Sequence, residues 1–501
     1  MSARLFELVA RGLALEVWGD SSVRVDGVRH DSRAVQPGDL FVAVPGRNVD
    51  GARFAADAVA RGAVAIATES RLELDVPQLR VADARRALGA LAAAVYGDPT
   101  RELAVIGVTG TNGKTTTTWL LDEALRALGA RPALLGTIET RGPGVERGAA
   151  SYTTPEGDEI ARFARKVKDA GATHLVMEVS SHALAQARAD AVTFEVAAFT
   201  NLSQDHLDFH GTMEAYFEAK ARLFTELAPR ASVINVDDPS GRALAERIAA
   251  GALTVSAAGA PGATLRAEEV SCGRDGIRAR IVHGDRAIDL ASPMIGAHNL
   301  ENLMVALGCL SALGVDLGDA ARALGASRGA PGRLERIDGL PGVRVLVDYA
   351  HTPDALSRAL AALRPITPGR LLVVFGCGGD RDRGKRPIMG ETAARGADLA
   401  IVTSDNPRTE DPYAILAAIE PGVRAGGMER ADVTASARGY EVIEDRREAI
   451  RRAIVAARPG DTVLIAGKGH EPYQIRGTSK LHFDDREEAR AAIAARGGGE
   501  A

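Results

Sequence analysis

Cysteine is scarce in this sequence: Cys272, Cys309 and Cys377 are the three present in 501 residues. None forms a Cys-x-x-Cys spacing, so neither a disulfide framework nor a cysteine zinc site is indicated. Cys309 falls inside an apolar helical run and reads as core. Aromatic residues make up only 4%, which leaves little for base-stacking platforms. Positive charge is not in excess either. A formal net charge of −5 argues against a nucleic-acid binder held by a basic face. No uncharged apolar run reaches the ~18 residues of a membrane span. Arg4, Glu7 and Arg11 interrupt the apolar residues of the first fifteen positions, so no signal peptide is read there. No repeat of solenoid length recurs. What remains is a chain that is 46% hydrophobic and 25% charged, the balance of a globular protein with ample core. Its length suggests about three domains. The expectation is a cytoplasmic, monomeric enzyme acting on small molecules, with no nucleic acid and no membrane insertion.

The most informative stretch is Val105 to Thr117, V-I-G-V-T-G-T-N-G-K-T-T-T. Leu103 to Val108 is a short apolar run of the kind that makes a buried strand. It breaks into Gly110-Thr111-Asn112-Gly113-Lys114, and Thr115 to Leu128 then has apolar residues at helical spacing. Strand, glycine loop, lysine, hydroxyl and helix make a phosphate cradle. Backbone N–H groups close round phosphate oxygens, and the helix N-terminus adds partial positive charge. Lys114 supplies a point charge for the β- and γ-phosphates, and Thr115 a hydroxyl for Mg²⁺. Val108 stands where the general pattern has glycine. The chain is expected to bind a nucleoside triphosphate.

Before this loop, residues 1–99 read as a first α/β unit. Its strands are Leu40 to Val44 and Val64 to Ala67, and its helices Ala52 to Arg61 and Arg85 to Tyr96. Gly97-Asp98-Pro99 closes it. Two polar loops stand out, His30-Asp31-Ser32-Arg33 and Pro45-Gly46-Arg47-Asn48. Residues 100–331 alternate strand and helix, hence a mostly parallel sheet with helices on both faces. Thr173 to Val179 is a buried strand ending near Glu178, and Glu195 to Phe199 another, followed by Thr200 to His206. Ligands of open parallel sheets collect outside the carboxyl ends of strands. One site can therefore gather the P-loop, Glu178 and His206. Glu178 reads as a Mg²⁺ ligand, against the plainer reading of a cap or surface charge. Helix Met213 to Leu227 carries Tyr216, Lys220 and Phe224 on one face, and helical spacing alone favours a solvated Lys220. Asn299 and Asn302 open another helix, one suited to capping and one to an adenine contact. Residues 332–501 alternate again, with strands at Val343 to Val347, Leu371 to Phe375, Ala397 to Thr403 and Thr462 to Ala466. Four polar clusters follow strands here: Asp348 to His351, Gly378 to Arg381, Asp405 to Arg408, and Gly467 to Glu471. That exceeds what turn chemistry requires and points to a second ligand. Arg496 to Ala501 read as a frayed tail.

In this order and spacing, Gly110 to Thr116 (GTNGKTT), Asp348 to Pro353 (DYAHTP) and Asp405 to Arg408 (DNPR) resemble the Mur ligases, specifically the branch that adds diaminopimelate. The likeness runs from about residue 29 to about 485, and the family shares Val108. The resemblance implies an N-terminal domain for a UDP-linked substrate, a central ATPase domain and a C-terminal Rossmann-like domain for the incoming amino acid. It implies ATP and Mg²⁺ as cofactors. It implies that Ser32, with Arg47 and Asn48 near it, meets the uridine diphosphate, and that Thr153, Thr154, Ser180, Gln186 and Arg188 hold a muramyl dipeptide. Glu178 and His206 would ligate Mg²⁺, and Lys220 would do so as a carbamate. Lys114, Lys220 and His206 would thus form the catalytic set. Asn302, Arg333 and Asp348 would contact the nucleotide. Arg381, Asp405, Asn406, Pro407, Arg408, Gly467 and Glu471 would grip diaminopimelate. The implied reaction joins an amine of diaminopimelate to the D-glutamyl γ-carboxylate of UDP-N-acetylmuramoyl-L-alanyl-D-glutamate through an acyl phosphate. Arg408 has the planar fork to take the carboxylate that distinguishes diaminopimelate from lysine. Rival readings are a lysine-adding relative, folylpolyglutamate synthetase, a small-molecule kinase and a nucleotide switch. The Asp-Asn-Pro-Arg run argues against the first two.

Overall fold

The computed structural model describes residues 2–46, 49–149, 152–248 and 251–497. The chain forms two compact units. One comprises Met1–Glu269, Ala279–Leu290 and Glu301–Gly325, and the other Val270–Arg278, Ala291–Leu300 and Ala326–Ala501.

The first unit begins with a five-stranded sheet in the order Glu16–Trp18, Gln78–Arg80, Ala65–Thr68, Asp39–Val42, Gly27–Arg29. The last four strands are parallel, and Glu16–Trp18 joins one edge antiparallel. Leu88, Leu91, Ala92 and Val95 of helix Ala84–Val95 pack on Val28, Leu40 and Val42. The expected helix from Ala52 is instead a 3₁₀ turn, Gly51–Phe54, followed by helix Ala55–Ala60. Asp50, whose side chain accepts the Ala52 N–H, caps that tighter first turn.

The same unit carries a second sheet, whose parallel heart runs Pro132–Leu135, His174–Glu178, Ala104–Thr109, Val196–Phe199, Ala231–Asn235, Ala252–Ser256. A hairpin, Glu139–Gly142 with Val145–Ala149, extends it antiparallel. The sheet continues into Leu265–Gly273, paired with Ala252–Ser256 through Leu265 and Arg266; strands Gly276–His283 and Arg286–Ser292 come next in the chain. These three strands follow one another without helices, where alternation was expected. The central strand is buried on both faces, as its unbroken apolar sequence requires. Gly107 leaves room for the core beside it, because a methyl there would lie 2.5 Å from the Phe194 ring. Val105, Met177, Phe194, Phe199 and Leu223 belong to one core, and each such buried apolar side chain contributes about 1.5–3 kcal/mol. Register fixes the functional edge: Glu178 pairs with Val108, and Phe199 with Thr109. Three strands thus end together.

The second unit holds a six-stranded sheet in the order Glu335–Ile337, Arg344–Asp348, Thr462–Ala466, Leu371–Phe375, Leu399–Val402, Gly439–Val442, parallel apart from the first edge strand. Separate cores cover its faces. Leu356, Leu360, Met389, Leu416 and Ile419 lie in one, and Ile450, Ile454, Ala489 and Ile493 in the other. Asp348 pairs with Ala466, so the polar clusters after these strands leave the sheet at one edge. The frayed tail expected from Arg496 onward does not begin there. Helix Asp485–Gly497 includes Arg496, whose guanidinium donates to the Ala457 carbonyl at 2.8 Å, because Ala489, Ala492 and Ile493 give that helix a buried face. Among the described residues no helix is long and apolar enough to cross a membrane.

Candidate active site

Gly110 and Gly113 shape the loop after Ala104–Thr109. Their φ angles are +147° and +87°, and a methyl would strike the Thr200 hydroxyl at one and the Asn302 amide oxygen at the other. Only glycine fits. The neighbouring strand's exit pins the loop. The Thr111 N–H donates to the Asn201 carbonyl at 2.8 Å, the Asn112 N–H to Asn201 Oδ1 at 2.9 Å, and the Thr200 hydroxyl to the Asn112 carbonyl at 2.6 Å. Helix Lys114–Ala127 starts here, with Thr115 and Thr116 buried in its first turn. Its open N-terminus is an anion site by construction. Lys114 Nζ donates to the Gly110 and Thr111 carbonyls at 2.8 and 2.9 Å. Lys220 Nζ donates to the same Gly110 carbonyl at 2.8 Å and lies 4.5 Å over the Tyr216 ring. A solvated Lys220 is therefore overturned: the side chain is buried beneath the loop. Burial first, and the charge of Lys114 second, hold its amine well below the ordinary lysine range.

Glu178 is buried and approached from two sides. The Thr115 hydroxyl donates to Oε2 at 3.0 Å, while Thr137 gives its N–H to Oε1 at 2.6 Å and its hydroxyl to Oε2 at 3.0 Å. A carboxylate beside a P-loop hydroxyl is a hard oxygen donor set of the kind that suits Mg²⁺. His206 reaches the loop by another route. Its ring lies 6.0 Å from that of Tyr216, whose hydroxyl is 3.1 Å from Thr111 Oγ1. His206 also packs 4.7 Å from His182, which in turn lies 5.5 Å from His210. Burial, then the neighbouring imidazoles, push His182 down to about 4. His206 and His210 are lowered too, burial again leading. Neutral imidazole is the form that can ligate a metal. Asn302 faces the P-loop helix, with its Oδ1 3.5 Å from the Thr117 hydroxyl. Asn299, one turn earlier, secures the helix entry by donating to the Ile295 carbonyl at 2.8 Å.

The residues expected to hold the muramyl dipeptide form one network behind Glu178. The Thr154 hydroxyl donates to the Glu178 carbonyl at 2.8 Å and accepts the Ser180 N–H at 3.0 Å. Ser180 Oγ caps helix Ser181–Ala185. Arg188 donates to the Thr154 carbonyl at 3.1 Å and Gln186 Oε1 at 2.6 Å, and pairs with Glu156 at 3.0 Å. Thr153 Oγ1 is 3.1 Å from the Thr137 hydroxyl. Ser32 sits in the turn Ser32–Ala34, outside that network. Two residues before it, however, His30 Nδ1 meets Asp158 at 2.8 Å, the second residue of helix Gly157–Asp169. Arg47 and Asn48 lie outside the described residues.

In the second unit, the Asp405-to-Arg408 run is locked against the loop after Thr462–Ala466. Asn406 Nδ2 donates to Glu471 at 3.1 Å, while its Oδ1 accepts Lys468 Nζ at 3.1 Å and the Ile475 N–H at 2.9 Å. Lys468 is wholly buried, 3.5 Å from Glu471 and 4.0 Å from Asp405. Gly467 must lack a side chain, since a methyl would lie 2.7 Å from Asp405 Oδ2. Arg408 donates to the Gly379 carbonyl at 2.9 Å, and Pro407 precedes it in the same turn. A methyl on Gly378 would touch both Arg408, at 2.9 Å, and Arg381, at 3.7 Å, so these two side chains border one backbone patch. Arg333 lies 4.7 Å over the Tyr349 ring, beside Asp348, which accepts the Leu334 and Ala350 N–H groups at 2.7 and 2.8 Å. Burial raises the Asp348 carboxyl, although Arg333 and those N–H groups pull the other way.

Strain marks the same places. Eight described residues other than glycine have positive φ, and five of them are Ala187, His206, Leu334, Asp380 and Arg408. Each is, or adjoins, a candidate ligand residue. Such conformations cost about 1–3 kcal/mol and gather at functional sites. Sequence reasoning missed Thr137 and the imidazoles of His182 and His210, and it gave His30 and Lys468, which lie within two of its polar clusters, no role of their own. Thr137 could have been found, since it follows the apolar strand Pro132–Leu135 at the same sheet edge.

Sheet order and glycine loop together define a P-loop α/β protein. Comparison with known proteins takes this further. Three family models match: "Mur ligase family, catalytic domain" over residues 24–96, "Mur ligase middle domain" over 108–310, and "Mur ligase, glutamate ligase domain" over 332–469. Relatives named UDP-N-acetylmuramoyl-L-alanyl-D-glutamate--2,6-diaminopimelate ligase include one from Geobacter metallireducens, 48% identical over 95% of this chain and 96% of its own. One from Gloeobacter violaceus is 47% identical over 98% of each. A solved structure with the same name aligns with TM-score 0.73 and 34% identity over 99% of this chain and 100% of its own. The chain belongs to the Mur ligase family. A folylpolyglutamate synthase complexed with ADP, 21% identical with TM-score 0.58 over 82% of this chain and 93% of its own, shares the fold.

Proposed function

We propose that the chain is an ATP-dependent ligase that adds meso-2,6-diaminopimelate to the D-glutamyl γ-carboxylate of UDP-N-acetylmuramoyl-L-alanyl-D-glutamate, a step in peptidoglycan precursor synthesis. One observation carries this reading. Within a single Mur ligase chain, the P-loop hydroxyl of Thr115 meets a buried carboxylate, and a separate charged pocket is built round Asn406, Arg408 and Glu471. Relatives named for that reaction, at 45–48% identity over nearly their whole length, support it. On this reading residues 1–99 take the UDP end, 100–331 the ATP, and 332–501 the amino acid. The enzyme works as a cytoplasmic monomer.

The chemistry follows from the groups available. Backbone N–H groups from Gly110 to Thr116 hold the phosphates, with Asn302, Arg333 and Asp348 as further nucleotide contacts. Lys114 turns from the loop carbonyls to the transferring phosphoryl group, offsetting charge that builds between two anionic substrates. Ser32, Arg47 and Asn48 hold the uridine diphosphate. Thr153, Thr154, Ser180, Gln186 and Arg188 position the dipeptide so that its γ-carboxylate oxygen attacks the γ-phosphorus, giving an acyl phosphate and ADP. An amine of diaminopimelate then attacks the acyl carbon, the amide forms, and phosphate leaves. Arg381, Asp405, Asn406, Pro407, Arg408, Gly467 and Glu471 orient that amine. Thr115, Glu178, His206 and Lys220 as its carbamate would hold Mg²⁺, which when bound supplies positive charge to the phosphate oxygens.

Phosphate release from ATP tests the reading. With UDP-N-acetylmuramoyl-L-alanyl-D-glutamate present, sustained release is expected only when meso-diaminopimelate is added. Release that ignores the amino acid would point to a kinase or hydrolase instead.

A further inference from the structure

The far end of the P-loop helix carries a feature that this chemistry does not use. Arg126, Arg131, Arg141 and Arg147 line one cavity of about 400 Å³, together with Pro143 and Val145. Arg126 sits in the last turn of helix Lys114–Ala127, and Arg141 on the hairpin strand Glu139–Gly142. Twelve residues of helix separate Arg126 from Lys114, roughly 18 Å of rise. The cavity is therefore not the phosphate site of the P-loop.

Four guanidiniums here meet only two carboxylates. Asp122, fully buried, pairs with Arg126 at 2.9 Å and with Arg141 at 2.5 Å, and Glu139 pairs with Arg141 at 2.7 Å. Arg126 further donates to the Pro132 carbonyl at 2.9 Å, and Arg131 to the Ala170 carbonyl at 3.0 Å. Among the described residues neither Arg131 nor Arg147 has a carboxylate partner. Gathering like charges round one concavity is unfavourable unless an anion shares it, and the guanidinium fork matches phosphate oxygens bidentately. The volume suits a small organic ligand, and Pro143 and Val145 give it an apolar wall. We propose that this cavity binds a phosphate-bearing anion, either inorganic or attached to a small organic body. The inference does not depend on the ligase reading.

The site has its own reporter. The Arg141 guanidinium lies 4.0 Å over the Trp119 ring. The chain has two tryptophans, so Trp18→Phe leaves Trp119 as the sole emitter. Adding Lys114→Ala disables the P-loop. This full-length double variant is titrated with inorganic pyrophosphate, glucose 6-phosphate and glucose at constant ionic strength. Emission and titration calorimetry are both recorded. Saturable binding of pyrophosphate, of glucose 6-phosphate or of both, with none for glucose, is the expected result. Binding of pyrophosphate alone identifies a site for free inorganic anion, and binding of both a site that accepts an organic phosphate. Arg131 and Arg147 are exposed, so Arg131→Ala/Arg147→Ala opens no buried cavity and removes one surface hydrogen bond, to the Ala170 carbonyl. It should weaken binding at least about tenfold, the equivalent of one charge-assisted hydrogen bond. No saturable heat with either phosphate, or an unchanged midpoint in the arginine variant, overturns the proposal.

Discussion

Replacing Arg446 by Met removes one half of an ion pair that water does not reach. Both side chains are fully buried. Arg446 grips Asp485 through Nε at 2.8 Å and Nη2 at 2.7 Å, and Nη2 also donates to the Ala466 carbonyl at 3.0 Å. Ala466 is the last residue of its strand, and Gly467 beyond it packs on Asp405, so the pair underpins the proposed diaminopimelate pocket. In Arg446→Met, the Asp485 carboxyl is left in the interior without its counter-ion. Breaking a buried pair in this way costs about 3–5 kcal/mol. Asp485 opens helix Asp485–Gly497, whose N-terminal dipole returns only about 0.3–1 kcal/mol. Each kcal/mol moves the transition of a unit this size by about 2–4 °C, so calorimetry should show it falling by roughly 6–20 °C. Arg446→Met/Asp485→Leu should recover most of the loss, because a well-packed apolar pair often replaces an ionic one at no net cost. The double variant should still use diaminopimelate poorly, since the Arg446 hydrogen bond to the Ala466 carbonyl is gone. A single variant as stable as wild type, or a double variant no better than the single, would refute the reasoning.

Glu178→Ala should fold normally by circular dichroism yet lose turnover, because a charge-clamping carboxylate is worth several kcal/mol of transition-state stabilisation; normal turnover would remove Glu178 from the site. Burial lowers the Lys220 amine well below its ordinary range, which favours the form that takes up CO₂, so labelled bicarbonate should give a carbamate carbon resonance that is absent from Lys220→Ala. Wild type should prefer meso-diaminopimelate to L-lysine by about 10⁴ in kcat/KM, most of it lost in Arg408→Ala; equal use of the two amino acids by wild type would favour lysine as substrate. Burial pulls the His30 imidazole down, but the hydrogen bond and charge of Asp158 outweigh it and leave the group above its ordinary value. A raised histidine adds stability that is complete below the unfolded value near 6.5 and is lost as pH rises through the folded one. His30→Gln should therefore lower the melting temperature more at pH 5.5 than at pH 8.5, and an equal loss at both would deny the charged pair.

Sheet strands were the most legible part of the sequence. Leu371–Phe375 and Thr462–Ala466 fall where their apolar runs place them, because a strand buried on both faces writes itself as uninterrupted hydrophobic residues. The P-loop was legible for a different reason: its glycines answer to backbone angles and collisions that no other residue survives. The hairpin Glu139–Gly142 with Val145–Ala149 was not read. It is mixed in polarity, and its pairing depends on Leu134 and Leu135 across the sheet rather than on any local pattern.

Charged residues were the least legible, and the failure has one physical cause. A lysine or arginine on a helix looks the same in sequence whether its head meets water or a carbonyl. Lys220 and Arg446 both lie on helices rich in charge, Met213–Thr225 and Arg446–Ala456, where solvation is the ordinary fate. What decides otherwise is supplied by distant chain. The Gly110 carbonyl receives Lys220 from 110 positions away, and Asp485 receives Arg446 from 39. Each buried head is costly alone and tolerable only with that partner in place. Such a head consequently ties its helix to a distant loop, since any slippage strands a buried polar group without its partner. Lys468 follows the same rule, fixed by Asn406 from 62 positions away. The basic side chains that sequence conceals best are thus the ones that hold the P-loop and the Asp405-to-Arg408 turn in shape.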